Sequence, residues 1–143
     1  MQQLKQLHEQ DLNLWLEQIA IAIKNRDFNS MDWDGLLEEI EDVGASQKRT
    51  LDSYLQRLIE HILKLKYWES EREYNQKGWR REVVNFRNRI KRILQKNPSL
   101  KNYFTQEYED LYQDAIATMS QEFKIPHDSF VSLEMMLEKD YFG

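Results

Sequence analysis

Three carboxylates, Asp34, Glu38 and Glu41, stand at helical spacing in the stretch DWDGLLEEIEDVG, and Glu107 and Asp110 stand one turn apart in EYED. Stepping about 100° per residue from Trp33 gathers Asp34, Glu38 and Glu41 on one flank of a helix, with Glu39 on the opposite flank and Asp42 outward. Acids on one stripe repel unless a cation or a basic partner neutralises them. Oxygen ligands of this kind suit a hard divalent ion such as Mg²⁺. A Mg²⁺-dependent phosphohydrolase acting on a nucleotide or polyphosphate would use Asp34, Glu38, Glu41, Glu107 and Asp110 as its ligands. The plainer expectation is no metal and no cofactor, the acids forming a hydrated face that pairs with bases elsewhere.

Those bases are concentrated in one place. Between Lys77 and Lys101 there are nine basic residues and one acid, Glu82, a balance of +8 in a chain whose total is −5, so the remainder carries −13. Asp32 to Asp42 holds six acids and no base. Arg80, Arg87 and Arg89 are therefore candidates to bind a polyanion or to pair with Glu38, Glu39 or Glu41. A sequence pI near 5.3 is opposite to the usual nucleic-acid footprint, and no helix-turn-helix pattern surrounds the basic stretch. A nucleic-acid-binding or toxin-neutralising regulator ranks third among the functional readings.

Of the three histidines, His61 alone falls within a strong helical pattern, at the border of its apolar stripe beside Tyr54 and Leu65. That is the position of a hydrogen-bonded border histidine rather than of a ligand. His8 and His127 fall in polar flanking stretches. Neither a His-Glu-x-x-His motif nor a glycine-rich phosphate loop occurs. The tryptophans and tyrosines lie on or beside apolar stripes, where core is the default. Tyr103, Tyr108 and Tyr112 cover more than one face of their helix, which makes that helix the expected surface for self-association.

The elements that must position these residues are helices. Four glycines and two prolines in 143 residues leave long stretches without punctuation, and 41% apolar residues are too many for a disordered chain. A first helix is expected from Asp11 to Asn25, with Leu12, Trp15, Leu16, Ile19, Ala22 and Ile23 on its apolar face. A second starts after Ser30 or Asp32, its apolar positions Trp33, Leu36, Leu37, Ile40 and Val43. Gly44 either stops that helix, with Ser46 capping the next, or sits in one long helix kinked there. Leu51, Tyr54, Leu55, Leu58, Ile62 and Leu65 form a core stripe, with Leu55, Leu58, Ile62 and Leu65 expected to face Trp79, Val83, Phe86 and Ile90 of a basic helix across a loop from Ser70 to Gly78. KNPSLK is a turn, a further helix runs from Tyr103 to Phe123, and Ser132 to Glu138 closes the chain with a short one. The expected fold is an all-α, single-domain bundle of five or six helices spanning residues 1–143.

Several stretches together resemble a bacterial, largely cyanobacterial family catalogued as domain of unknown function twenty-nine: DLNLWLEQ, DWDGLLEEIEDVG, SYLQRLIEHILKLKYW, GWRREVVNFRNRI and KNPSLK. The family tends to have serine where this chain has Gly78. The resemblance implies an all-helical, cytoplasmic, bacterial protein and carries no activity with it. The acid motifs are also similar to those of the all-α nucleoside triphosphate pyrophosphatases, in which acids on two helices hold Mg²⁺, but here they lie further apart in the chain. A chain without cysteine fits a reducing compartment, and Met1 to Gln10 has no hydrophobic leader core. The expected role is interaction with a protein partner or with a second copy, without a membrane and without catalysis.

Overall fold

The structure is a computed structural model that describes residues 2–143. It is all-α, with six α-helices and, among the described residues, no strand. These are α1 (Gln2–Gln10), α2 (Leu12–Lys24), α3 (Trp33–Tyr67), α4 (Glu69–Lys96), α5 (Leu100–Met119) and α6 (Leu133–Met136), with a 3₁₀ turn at Phe28–Ser30. The chain divides into two compact units, Met1–Ser46 and Gln47–Gly143. Helix α3 passes through Gly44 without a break, so neither a stop there nor a new helix capped by Ser46 occurs.

Unit 1 contains α1, α2, the 3₁₀ turn and the first part of α3. Asp11 caps α2 by accepting the Leu14 amide at 3.1 Å. The helix ends where Arg26 takes a left-handed φ of 56°. The Arg26 and Asp27 amides then reach back to the Ile23 and Ala22 carbonyls at 3.1 and 2.9 Å, which satisfies two carbonyls the helix end would leave open. Trp15, Ile19, Ala22 and Met31 form a small buried cluster, with Leu4, Leu7 and Leu36 packed against it. Helix α1 has no counterpart in the expected elements, because its residues are mostly polar and only Leu4 and Leu7 mark an inward face.

Unit 2 is a three-helix bundle closed by the C-terminal segment. Residues 47–67 of α3 turn directly into α4 at the single residue Trp68. The expected loop from Ser70 to Gly78 is instead the first turns of α4. Glu, Arg, Gln and Lys are good helix formers, and Glu69 and Glu71 in the first turn complement the helix dipole. Gly78 lies inside the helix with open space where a Cβ would stand. Contacts of Lys64 with Trp79, His61 with Phe86 and Arg89 with Tyr54 show that the two helices run antiparallel. The expected facing stripes are there: Leu55, Leu58, Ile62, Leu65, Val83, Phe86 and Ile90 share one buried cluster, and Trp79 packs against it.

Helix α5 adds Phe104, Tyr108, Leu111, Tyr112, Ala115 and Met119 to this core. Residues 120–143 then lie over the bundle, held by polar anchors. The Tyr108 hydroxyl donates to the Val131 carbonyl, and Ser129 takes the hydroxyls of Tyr67 and Tyr112 at 2.9 and 3.1 Å. Arg87, 2% exposed, donates to the carbonyls of Met136, Lys139 and Tyr141. No described helix is long and apolar enough to cross a membrane.

Candidate functional site

The chemistry of unit 1 is organised around the start of α3. Asp32 precedes the first helical residue, and its Oδ1 accepts the Gly35 amide at 3.1 Å, the geometry of an N-cap. Its Oδ2 accepts the indole N–H of Trp15, also at 3.1 Å. Asp32 is 4% exposed, so both oxygens of a buried carboxylate are satisfied by donors and by the positive end of the helix dipole. Gly35 is dictated by this arrangement. A Cβ there would overlap Asp32 Oδ2 and lie 2.9 Å from Trp15 Cζ2.

One turn further on, Glu39 Oε1 meets His8 Nε2 at 2.7 Å, and the His8 ring lies against Trp15 with centroids 4.5 Å apart. The hydrogen bond to Glu39 raises the His8 imidazole above its ordinary pKa, against the opposing pull of burial. This pair pins α1 to α3 through Trp15. His8 was expected in a polar flank, and the DWDG spacing of Asp32 and Gly35 was the only local sign of the arrangement.

With Gly35, Leu36 and Glu39 turned toward α1 and α2, the rest of the apolar arc is left uncovered. Trp33, Leu37, Ile40 and Val43 are 55%, 56%, 60% and 60% exposed. They were expected on the apolar face of their helix, and for Trp33 core was the default; all four stand in solvent. Phe28, also exposed, stands beside Trp33 with ring centroids 6.3 Å apart. Asp34, Glu38 and Glu41 border this strip, all three exposed. Lys5 reaches Asp34 at 3.7 Å with both side chains largely in solvent, a contact of little energy.

In unit 2, Glu107 is half-buried and Asp110 exposed on α5. Asp110 lines an open cavity of about 320 Å³ with Glu109, Tyr112, Gln113 and Phe130. Among the described residues of neither unit do three or more His, Asp or Glu side chains gather where an ion could be held. His61 is half-buried on α3. Its Nδ1 donates to the Arg57 carbonyl at 2.7 Å, the ring lies near Phe86, and burial lowers its pKa.

The arginines have partners inside unit 2. Arg80 stacks on Phe142 at 3.9 Å from the ring centroid, and Arg89 donates to Asn85 and Tyr54. Arg87 is withdrawn from any surface role by burial under the C-terminal segment. Two of the tyrosines expected on a self-association surface are covered within unit 2, and Tyr103 is half-buried. Tyr108 and Tyr112 are 3% and 0% exposed, their ionisation suppressed by burial. Tyr103 donates to Asp52 at 2.7 Å, and that bond raises its pKa to about 12. Once the C-terminal segment covers α5, its aromatic breadth is core.

Fold and site together define an all-α protein with an uncovered, acid-bordered helical face. The chain belongs to the family described as domain of unknown function DUF29, whose model matches residues 7–142. No curated protein and no solved structure matches it.

Proposed function

We propose that this protein acts by binding another polypeptide, and that the uncovered face at the start of α3 is the docking surface. The supporting observation is the run of Trp33, Leu37, Ile40 and Val43 along one side of a helix, each more than half exposed. Single apolar residues on a surface need no explanation, but a contiguous row rimmed by charge marks an interaction site. Tryptophan is also the residue type most often found at the energetic centre of an interface. A reducing, cytoplasmic setting fits a chain without cysteine.

The test is a photo-crosslinking residue placed at Leu37 in the living host, with the same residue at exposed Asn102 on α5 as control. A discrete crosslinked species is expected from position 37 and not from position 102. Equal background at both positions would remove the proposal.

A further inference from the structure

We infer that the occupant of this face is a basic amphipathic helix of a different protein, an inference that rests on the reading of the face as a docking surface. Its shape comes first. With Trp33 at the origin of the wheel, Leu37 lies at about 40°, Ile40 at about −20° and Val43 at about −80°, an arc of about 120°, the width of one helix's apolar stripe. Along the axis, Trp33 to Gly44 covers about 16 Å, or three turns. Gly44 adds an opening in the same arc, with nothing within 4 Å of a Cβ built there. A strip of that width and length on one helix accepts the apolar face of a second helix.

Charge then selects the kind of helix. On the open side of the arc stand Glu41, Asp34 and Glu38, at about 80°, 100° and 140°. On the other side the helix is occupied by its own unit, through Gly35 against Trp15 and Asp32 and through Glu39 on His8. Glu38 and Glu41 have no lysine or arginine partner within unit 1 among the described residues. An incoming helix therefore places one flank of its apolar stripe against a row of carboxylates. Lysine or arginine on that flank relieves the mutual repulsion of the row, and glutamate or aspartate there adds to it.

The same reasoning excludes copies of this chain as occupants. Two such faces packed antiparallel would set acid row against acid row, and packed parallel each acid row would meet the flank of α3 already occupied by its own unit. The basic stretch of another copy has no apolar stripe to offer, since Val83, Phe86 and Ile90 of α4 are buried in unit 2. Anionic surfaces, nucleic acid or lipid, are repelled by the acids for the same reason that a basic helix is drawn in.

The full chain would be titrated with three synthetic peptides of about 18 residues. The first has a leucine stripe flanked by lysines, the second the same stripe flanked by glutamates, and the third the first peptide's composition scrambled. Binding is read by calorimetry and by the emission shift of exposed Trp33. The lysine-flanked helix is expected to bind at least about tenfold more tightly than either control and to weaken as salt rises. Ile40→Glu should abolish binding while leaving the circular dichroism melt unchanged, and Leu37→Ser provides the check should Ile40→Glu perturb folding. The double variant Glu38→Lys/Glu41→Lys should reverse the preference toward the glutamate-flanked peptide.

Equal affinity for the glutamate-flanked helix, or equal affinity for the scrambled peptide, would overturn the inference and leave the docking reading intact. Self-association of the chain that Ile40→Glu abolishes would do the same. If no peptide binds and position 37 yields no crosslink, both fall together.

Discussion

Unit 2 and the first part of the chain use apolar residues in opposite ways. Eighteen residues form the buried cluster of unit 2, and only four large apolar side chains there, Tyr74, Val84, Phe130 and Met135, are exposed. Among its described residues unit 1 buries four, Trp15, Ile19, Ala22 and Met31, and exposes ten, among them Leu12, Leu16, Ile21, Trp33, Leu37 and Ile40. A unit of that size is near the lower limit for a self-sufficient core. Unit 1 is instead held at specific points: the Asp32 cap, the Trp15 indole, the His8–Glu39 pair. The contrast is between a part whose apolar surface is already covered and a part whose apolar surface is largely left open.

The largest expected effect comes from opening the covered part. Leu58 is 0% exposed at the centre of the unit 2 cluster, and Leu58→Ala should cost about 2–5 kcal/mol by cavity formation. Thermal or denaturant unfolding would show it. A loss below about 0.5 kcal/mol would mean that unit 2 is not the rigid partner in the comparison.

A smaller effect is expected from Gly35→Ala in unit 1. The new methyl group must displace Asp32 or Trp15, which should cost about 1–3 kcal/mol by overpacking. Its signature is local: faster amide exchange in α2 and at the start of α3, with the core of α4 unchanged. If α4 amides accelerate equally, the two units unfold as one and the contrast between them is weaker than the packing implies.

The smallest effect separates the units by pH. His8 has a folded pKa raised above 6.5 by Glu39. Its contribution is complete below 6.5 and is lost as pH rises through the raised folded value. His61 has a folded pKa lowered below 6.5 by burial, opposed by its bond to the Arg57 carbonyl and by Glu82 and Glu60, with Lys64 adding to the lowering. Unit 2 therefore loses stability as pH falls from 6.5 through the lowered value. Acidification should slow exchange in α1 relative to the intrinsic rate and quicken it around His61. Histidine Cε1 proton titrations should place the two midpoints on opposite sides of 6.5, and His8→Gln should remove only the α1 response. Midpoints on the same side would break the pairing of each histidine with its unit.

Much of this was legible in the residues. The stripe from Leu51 to Leu65 and its counterpart from Val83 to Ile90 repeat at helical spacing for several turns, so both their helices and their mutual burial follow from periodicity. The border position of His61 follows from the same wheel. The stretch from Ser70 to Gly78 was misread as a loop because a polar helix exterior and a loop share a composition, and only neighbouring turns distinguish them. Trp33 to Val43 forms the apolar arc its spacing implies, but core, the default for Trp33, does not hold there.

What the sequence determined by itself is the set of helices and the arc of each that avoids water, since both depend on residues a few positions apart in one chain. Which arcs find a cover was decided only by the tertiary structure. Arg87 became a buried anchor because residues 136–141 fold back across it, and Tyr108 and Tyr112 became core because residues 129–131 lie over them and hydrogen-bond their hydroxyls. His8 met Glu39 across thirty-one positions, and in doing so turned one side of α3 inward and left Trp33, Leu37 and Ile40 out. Periodicity records that a side chain prefers an apolar neighbour, and it carries no information on whether the same chain supplies one.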